Sequence, residues 1–156
     1  MAIAITLKSF LEEHDAHYEV VAHPRTTSAL ETCEAAHISG DQMVKSVLLG
    51  DDESYVMALL PASHRLDLDR INHLLGRELY LITEDEITGT FADCETGSLP
   101  PIGDAYGIET VLDLDLLKKQ KIYFESGDHG LLIEMAGDEF KEILGDPTQY
   151  RISHHL

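Results

Sequence analysis

The sequence predicts a mixed α/β (α+β) domain in which helices surround a curved, partly closed and largely antiparallel sheet. Residues 43–49 and 55–60 are nearly continuous apolar runs, separated by the turn-forming sequence Gly-Asp-Asp-Glu-Ser, which is typical of a β-hairpin. Around this hairpin, shorter strand patterns alternate with segments of helical periodicity. Because strands this apolar should be covered on both faces, we expect the hairpin at the centre of the sheet.

Helix starts are predicted where a capping side chain precedes apolar residues at helical spacing. In chain order these caps are Thr6, Ser28 with Glu31, Asp67, Thr83 with Glu86, Asp113 and Asp138. Shorter strands are predicted where β-branched and aromatic residues cluster between turn formers. Their ranges are 18–22, 78–82, 110–112, 122–125 and 131–135. Between residues 92 and 107 both periodicities are lost while Gly and Pro accumulate, which is typical of a functional loop.

The whole chain, residues 1–156, is expected to form a single domain. Its length suffices for one core, and its 44% hydrophobic content is too high for a disordered chain. The longest apolar run, residues 56–60, is far too short to span a membrane, and the first residues lack a signal-peptide pattern. Since there are only two cysteines as well, we expect a cytoplasmic protein with reduced thiols and no membrane partner.

The charge balance narrows the class of partner. The chain carries 11 Lys and Arg against 29 Asp and Glu, a formal net charge of -18. Binding to duplex DNA or to an anionic membrane requires clustered Lys and Arg, so neither is expected as a partner. The dense basic cluster Lys118, Lys119 and Lys121 is interpreted as a solvated helix end. One local positive pocket is still compatible with this charge.

Lys45 is the most informative single residue. It lies within the apolar run of residues 43–49, and no other Lys or Arg occurs between Arg25 and Arg65. Burial of an ammonium group is costly unless another group compensates it. One interpretation is an edge-strand lysine whose charged end reaches water. The alternative is a lysine directed into a cleft, where it holds a phosphate, a carboxylate or a reacting carbonyl.

Other reactive residue types lack a catalytic context. Cys94 stands between two acids, which should raise the pKa of its thiol, and Cys33 lies beside another acid on a predicted helix. None of the nine histidines shows a zinc-binding spacing, and His154 and His155 are interpreted as a solvated tail. The sequence contains no Walker, dinucleotide-binding or nucleophile-elbow motif. We therefore expect neither a metal nor a cofactor.

The segment of residues 97–103, Gly-Ser-Leu-Pro-Pro-Ile-Gly, is a second candidate element, here called the glycine–proline loop. Its prolines would stiffen the backbone but donate no hydrogen bond. The remaining backbone donors are those of Gly97, Ser98, Leu99, Ile102 and Gly103. Together with Lys45 and a histidine-bearing turn at residues 127–130, the loop suits a substrate that is already activated, for which positioning and carbonyl polarisation suffice. A plain connecting loop is the alternative.

Several segments, taken in chain order, resemble the YbaK/EbsC family, the domain also found as an editing insertion in bacterial prolyl-tRNA synthetases. The matching features are His23-Pro24 after the first strand, Lys45 in an apolar strand, residues 56–61, the Gly97-x-x-x-Pro101 loop continuing to Gly103, Asp113 opening a short helix, and residues 123–129 before an apolar strand. They extend over nearly the whole chain. The resemblance implies the mixed fold of that family.

The same resemblance implies a freestanding aminoacyl-tRNA deacylase that acts in trans. It would hydrolyse, without a metal, the ester that joins a wrong and small amino acid to the 3′ end of a tRNA. By position, catalysis would involve Lys45, Gly97, Ser98 and Gly103. Substrate binding would involve His23, Leu99, Pro100, Pro101, Gly127, Asp128 and His129. Lys45 would contact the terminal adenosine or its phosphate, and residues 97–101 would line the aminoacyl pocket.

The acidic composition bears on how tRNA would be bound. Binding could be confined to the single-stranded acceptor end, or a synthetase partner could bring the tRNA. A monomer or a weak homodimer, and attack by either water or the ribose 2′-hydroxyl, are equally compatible with the sequence. Two other functions stay open: a non-catalytic module that binds an amino acid or an adenosine-like ligand, and a hydrolase of small activated esters unrelated to tRNA.

Overall fold

The computed structural model describes residues 3–95 and 98–156. The strands in these ranges are β1 (Tyr18–Ala22), β2 (Met43–Gly50), β3 (Tyr55–Pro61), β4 (His64–Leu66), β5 (Tyr80–Leu81), β6 (Glu109–Asp113), β7 (Lys121–Glu125), β8 (Leu131–Ala136), β9 (Thr148–Tyr150) and β10 (Ser153–His155). The α-helices are α1 (Ile5–Glu13), α2 (Ala29–Ala36), α3 (Leu68–Leu75), α4 (Glu84–Thr90) and α5 (Gly137–Ile143). Two 3-10 helices cover Gly103–Tyr106 and Leu114–Lys118.

The strands form one large mixed sheet and one small ribbon. In the large sheet the order is β1-β8-β7-β2-β3-β6-β9, with β5 added beside β2. Neighbours are antiparallel except where β7 meets β2 and where β3, β6 and β9 lie side by side. The ribbon pairs β4 with β10. The predicted mixed, largely antiparallel sheet is confirmed, as is the central position of the β2–β3 hairpin.

Apolar clusters cover both faces of the central hairpin. One cluster joins Leu48 and Met57 to side chains of α1 and α5. Another joins Leu49 and Val56 to Ile71 of α3. Each fully buried side chain of this size contributes about 1.5–3 kcal/mol to folding. The hairpin is therefore a rigid support for any residue on its free edge.

The edge of β2 that faces away from β3 is only partly paired. At one end, β7 pairs with it in parallel at Met43 and Val44. At the other end, β5 pairs with it in antiparallel at Leu49 and Gly50. Neither register includes residues 45–48, so the sheet has an opening beside the middle of its central strand.

Four of the six predicted helix caps are confirmed. In each, the side chain accepts a hydrogen bond from a backbone N–H two or three residues later; these caps are Ser28, Asp67, Thr83 and Asp113. The predictions for Thr6 and Asp138 are wrong, because their helices are capped two residues earlier, at Ala4 and Ala136. The Thr6 N–H donates instead to the carboxylate of Asp93 at 2.9 Å.

Three other segments differ from prediction. The strand expected at 78–82 is shortened to β5, because the Asn72 side chain takes up both the N–H and the carbonyl oxygen of Leu79. The loop expected at 92–107 contains a 3-10 turn. The expected tail of His154 and His155 is β10, which pairs with the equally unpredicted β4. Among the described residues, no helix has the length and apolar character needed to cross a bilayer.

Candidate functional site

A cavity of about 310 Å³, here called the edge cavity, lies in the opening beside β2. Its floor is formed by residues 45–48 of β2, which lie outside the registers of β7 and β5. The other lining residues are Ala29 of α2, Leu81 and Ile82 at β5, Ile87 of α4, Leu99 of the glycine–proline loop and Glu125 at the end of β7. The walls are therefore mainly apolar, and the polar side chains of the lining are those of Lys45, Ser46 and Glu125.

The backbone of β2 presents hydrogen-bonding groups to the edge cavity. Alternate residues of an antiparallel strand direct their N–H and C=O groups to the same side. Gln42 and Leu48 direct theirs away from β3, since their carbonyl oxygens accept from the N–H groups of Tyr123 at 3.0 Å and Ile82 at 3.2 Å. Ser46 has the same orientation but lies outside the registers of β7 and β5. Its N–H and C=O therefore face the cavity.

Lys45 lies between the edge cavity and a second cavity of about 280 Å³, here called the crevice. Its side chain is half-buried, and its Nζ donates to the carbonyl oxygen of His64 at 2.6 Å. Burial, followed by the positive charge of Arg65, lowers the pKa of Lys45. The crevice is lined by Lys45, Val47, His64, Arg65, Leu66, Leu68, Leu81 and Leu156. The lysine thus belongs to a cleft wall, as the second of the two interpretations of its sequence context requires.

The glycine–proline loop closes one side of the edge cavity. Its residues Ser98, Leu99, Pro100 and Pro101 are buried, whereas Gly97 lies outside the described residues. Ser46 Oγ donates to the carbonyl oxygen of Leu99 at 3.2 Å, which attaches the loop to β2. The carbonyl oxygen of Ser98 accepts from a backbone N–H of the turn after β7 at 2.9 Å. The predicted lysine strand, loop and histidine-bearing turn are therefore adjacent.

Glu95, whose role the sequence did not indicate, lies just before the glycine–proline loop and binds both the turn at residues 127–130 and Ser98 of the loop, whose N–H donates to the Glu95 carbonyl oxygen at 3.1 Å. Its N–H donates to the carbonyl oxygen of Gly127 at 2.8 Å, and its Oε1 accepts from the N–H of His129 at 2.8 Å. An ion pair with Arg25 lowers the pKa of the Glu95 carboxyl. Gly127 has a φ of 91°, and a Cβ there would lie 2.7 Å from the nearest side-chain atom. Only glycine fits this position without strain.

The predicted site residues Gly103, His23, Asp128 and His129 lie outside the lining of the edge cavity. Gly103 is in the core, where a Cβ would lie 2.3 Å from a neighbouring hydroxyl oxygen. His23 is buried, and its Nδ1 donates to the carbonyl oxygen of the next residue at 2.8 Å. Asp128 and His129 are buried in the turn, where Asp128 Oδ1 accepts from the N–H of Gly130 at 2.7 Å. Asp128 and His129 thus belong to the turn that contacts the glycine–proline loop.

Glu125 is an acidic side chain of the edge cavity for which the sequence indicated no role. It is only 5% exposed, and Thr32 Oγ donates to its Oε1 at 3.4 Å. Burial raises the pKa of Glu125 to about 8, while the hydrogen bond from Thr32 opposes this and the charge of Asp128 reinforces it. The reasoning applied to Lys45 could have found Glu125, since it too is a charged residue in an apolar strand.

Neither cysteine has the properties of a nucleophile. Burial raises the pKa of the Cys94 thiol to about 12 and, with the charge of Glu125, that of Cys33 to about 11. The predicted low reactivity of Cys94 is confirmed, although burial is a larger cause than the neighbouring acid Asp93.

Two groups of side chains in the described ranges could each offer three ligands to one cation. They are Asp41 with His64 and His155, and His64 with Asp113 and Asp115. Asp113 accepts hydrogen bonds from Ile152 N–H at 3.1 Å and from the Ser153 hydroxyl at 2.7 Å. Its carboxylate therefore already serves to hold the last strand, β10, against the end of β6.

Comparison with family models decides the identity of the domain. The model of the aminoacyl-tRNA editing domain matches residues 23–143, well over half of the chain. The chain belongs to this family. The match includes Lys45, the glycine–proline loop and the turn after β7, and it confirms the resemblance drawn from the sequence.

The editing domain is similar to one part of larger enzymes. Over 113 residues it is 26% identical to the proline–tRNA ligase of Bacillus cytotoxicus. This alignment covers 72% of this chain and 20% of the ligase. The chain thus spans about a fifth of the length of the curated relatives it matches. A solved structure described as a candidate trans-editing enzyme for prolyl-tRNA synthetase aligns with a TM-score of 0.83 at 24% identity, covering 96% of this chain and 95% of that one. A hypothetical protein aligns with a TM-score of 0.84 at 20% identity, over 96% and 99% of the two chains. These structural likenesses establish the shared fold.

Proposed function

We propose that this editing domain hydrolyses the ester bond of a mischarged tRNA that carries a small amino acid, acting in trans on tRNA charged by a synthetase. The observation that carries the proposal is the edge cavity, because it combines an apolar compartment, unpaired backbone groups and an adjoining cationic crevice. Membership of the editing family supports the same class of reaction.

The edge cavity is the proposed aminoacyl compartment. Its volume of about 310 Å³ is at the lower end of the range for ligand sites, roughly 300–1,000 Å³, and part of it must hold the ester group. Leu48, Ile87 and Leu99 leave room for a short apolar side chain. Each extra methylene changes binding in such a pocket by about 1–3 kcal/mol, so preference among small amino acids follows from its exact fit.

Hydrolysis at this position requires placement rather than a strong base. An ester carbonyl on the open edge of β2 would accept a hydrogen bond from the Ser46 N–H, which stabilises the negative charge that develops on that oxygen. Water adds to the carbonyl carbon, the bond to the ribose 3′-oxygen breaks, and that oxygen takes up the proton. If the ribose 2′-hydroxyl attacks first, the acyl group moves to the 2′-oxygen and water still completes the hydrolysis. The glycine–proline loop would hold the acyl group in place.

The crevice is the proposed site for the terminal adenosine. Leu66, Leu68 and Leu156 offer an apolar surface to the base, while Lys45 and Arg65 offer positive charge to the phosphate. Lys45 lines both cavities, so it would contact the substrate where the aminoacyl ester joins the nucleotide. This arrangement agrees with the roles that the family resemblance implies.

The acidic surface restricts the proposed contact to the end of the tRNA. A larger depression of about 550 Å³ beside the β2–β3 turn is bordered by Asp51, Asp52 and Glu53, which would repel a phosphate backbone. Few phosphates are then neutralised, so the affinity should depend only weakly on salt. A synthetase partner that delivers the tRNA would supply the missing positive surface.

The test is a deacylation assay on a panel of mischarged tRNAs, with the matching aminoacyl esters that lack tRNA alongside. The proposal expects rapid hydrolysis of at least one tRNA that carries a small amino acid, and slower hydrolysis of the free ester. Activity on the free esters alone would indicate the alternative hydrolase of small esters. No hydrolysis of either substrate, combined with measurable binding of an amino acid or adenosine, would indicate the non-catalytic binding module.

A further inference from the structure

Glu125 stands on the wall of the edge cavity opposite the open edge of β2. The parallel ladder between β2 and β7 ends at the pair Val44 and Phe124. The next two residues, Lys45 and Glu125, continue the register on either side of the opening and both line the cavity. One cation and one acid therefore flank the space assigned to the aminoacyl ester.

The carboxyl group of Glu125 is incompletely satisfied. Its Oε1 lies 3.4 Å from the Thr32 hydroxyl, whose single proton is also within reach of the nearer carbonyl oxygen of Ser28 at 3.0 Å. Its Oε2 is buried and has no hydrogen-bond partner in the described part of the chain. A buried acceptor without a donor is costly, so a ligand that donates to this group would be bound favourably.

Of the charged groups around Glu125, Asp128 favours a cationic ligand, whereas the ammonium group of Lys45 opposes one. Asp128 faces Glu125 from the following turn, Thr32 and Cys33 face it from α2, and Lys45 shares the cavity with it from β2. Burial and Asp128 keep the carboxyl protonated near neutral pH, since its pKa is raised to about 8. A bound cation would reverse this effect, because an adjacent positive charge favours the ionised carboxylate.

We propose that Glu125 binds the α-ammonium group of the aminoacyl ester and so makes a free α-amino group a requirement for the substrate. The inference rests on the proposed function. Every aminoacyl ester carries this ammonium group on the carbon next to the reacting carbonyl, whatever its side chain. Among the described residues that line the cavity, Glu125 is the acid, and an unpaired ammonium group there would be strongly disfavoured. Glu125 would release its proton as the substrate binds.

The kinetic test compares alanyl-tRNA with N-acetyl-alanyl-tRNA, which lacks the positive charge. The parent should hydrolyse alanyl-tRNA with a kcat/KM about ten- to hundredfold higher, the range expected for one charge-assisted hydrogen bond. Glu125→Gln should bring the ratio of the two kcat/KM values close to one, mainly through a higher KM for alanyl-tRNA. The control is Glu19→Gln, which removes an exposed acid from β1 and should behave like the parent.

A second measurement separates ammonium binding from a structural role of Glu125. Calorimetry at pH 6 in buffers of different ionisation enthalpy would count protons released when 3′-(alanylamino)-3′-deoxyadenosine binds. At this pH the ligand's amine is already protonated, since such groups titrate near about 7.7–8.0. The parent should release close to one proton, and Glu125→Gln none. If the variant fails to fold, proton release by the parent still tests whether Glu125 binds the ammonium group.

The possible results distinguish this inference from the function on which it rests. A parent that hydrolyses none of the mischarged tRNAs refutes the proposed function, and the inference with it. A parent that hydrolyses alanyl-tRNA and N-acetyl-alanyl-tRNA equally well, or binds the analogue without releasing a proton, refutes the role of Glu125 alone.

Discussion

Replacement of Lys45 by alanine should remove most activity while leaving the fold intact. The structure sets two opposing effects on stability. The variant loses the charge-assisted hydrogen bond to the His64 carbonyl oxygen, worth about 1.5–3 kcal/mol, but it also loses the desolvation cost of a half-buried ammonium group, which is of similar size. Because these effects oppose each other, we expect the free energy of unfolding to change by about 1 kcal/mol or less.

The effect on hydrolysis should be larger, because Lys45 is the charged side chain shared by the edge cavity and the crevice. A charge-assisted hydrogen bond to the substrate is worth about 1.5–3 kcal/mol, which corresponds to a roughly ten- to hundredfold lower kcat/KM. Lys45→Arg should not restore activity, since a planar guanidinium cannot replace a compact ammonium group held against His64.

The assay measures deacylation of a mischarged tRNA beside a thermal melt for each variant. Lys8→Ala, which removes an exposed lysine of α1, is the matched control and should leave both quantities unchanged. If Lys45→Ala melts like the parent and also turns over substrate at the parental rate, Lys45 has no part in the reaction and the assignment of the site is wrong.

Four further predictions test separate parts of the description. Gly127→Ala should lower the free energy of unfolding by about 1–3 kcal/mol from backbone strain, plus a similar amount from overpacking. Gly145→Ala should cost only about 1–2 kcal/mol, because Gly145 has a φ of 74° but open space around it. Chemical denaturation of both variants would show whether their free energies of unfolding differ. Leu99→Ala should enlarge the edge cavity and shift substrate preference toward larger amino acids, at a cost of about 2–5 kcal/mol in the free energy of unfolding. Unchanged selectivity would exclude Leu99 from the aminoacyl site. Because the pKa of Glu125 is raised, the folded state binds more protons than the unfolded state between pH 4.5 and about 8. The parent should therefore lose stability as pH rises through this range. Thermal melts of Glu125→Gln over the same range should not show this loss. Exhaustive chelation should leave deacylation intact, and activity that disappears with chelator and returns with zinc would contradict the metal-free mechanism.

Local signals in the sequence predicted most of the framework. The caps at Ser28 and Asp67 were predictable because a side chain that accepts from a nearby N–H acts within one turn, independently of distant contacts. The apolar runs of β2 and β3 likewise predicted that both faces of these strands are buried. Thr6 failed as a cap because its N–H is taken by Asp93, a residue far away in the chain, and no local rule includes such a partner.

The site itself was only partly predictable. The position of Lys45 in a cavity wall was one of two interpretations of a cation in an apolar strand, and the same reasoning could have drawn attention to Glu125. The opening beside residues 45–48 depends on where the registers of β7 and β5 stop, which is set by tertiary packing. Gly103 matched the family pattern, but in the structure a glycine is needed there because it packs closely against Thr110. Sequence alone does not show whether a glycine is required for packing or for contact with a substrate.

The central claim is that the aminoacyl end of the substrate lies on the open edge of β2, against the Ser46 N–H. The most direct test is a two-dimensional ¹⁵N–¹H NMR titration with 3′-(alanylamino)-3′-deoxyadenosine, whose amide carbonyl replaces the ester and resists hydrolysis. We predict that the Ser46 amide shows one of the largest shifts and that the amides of Leu48 and Leu99 shift with it. Saturable binding that leaves these amides unchanged, with the largest shifts at the acidic depression of Asp51 to Tyr55, would contradict the claim.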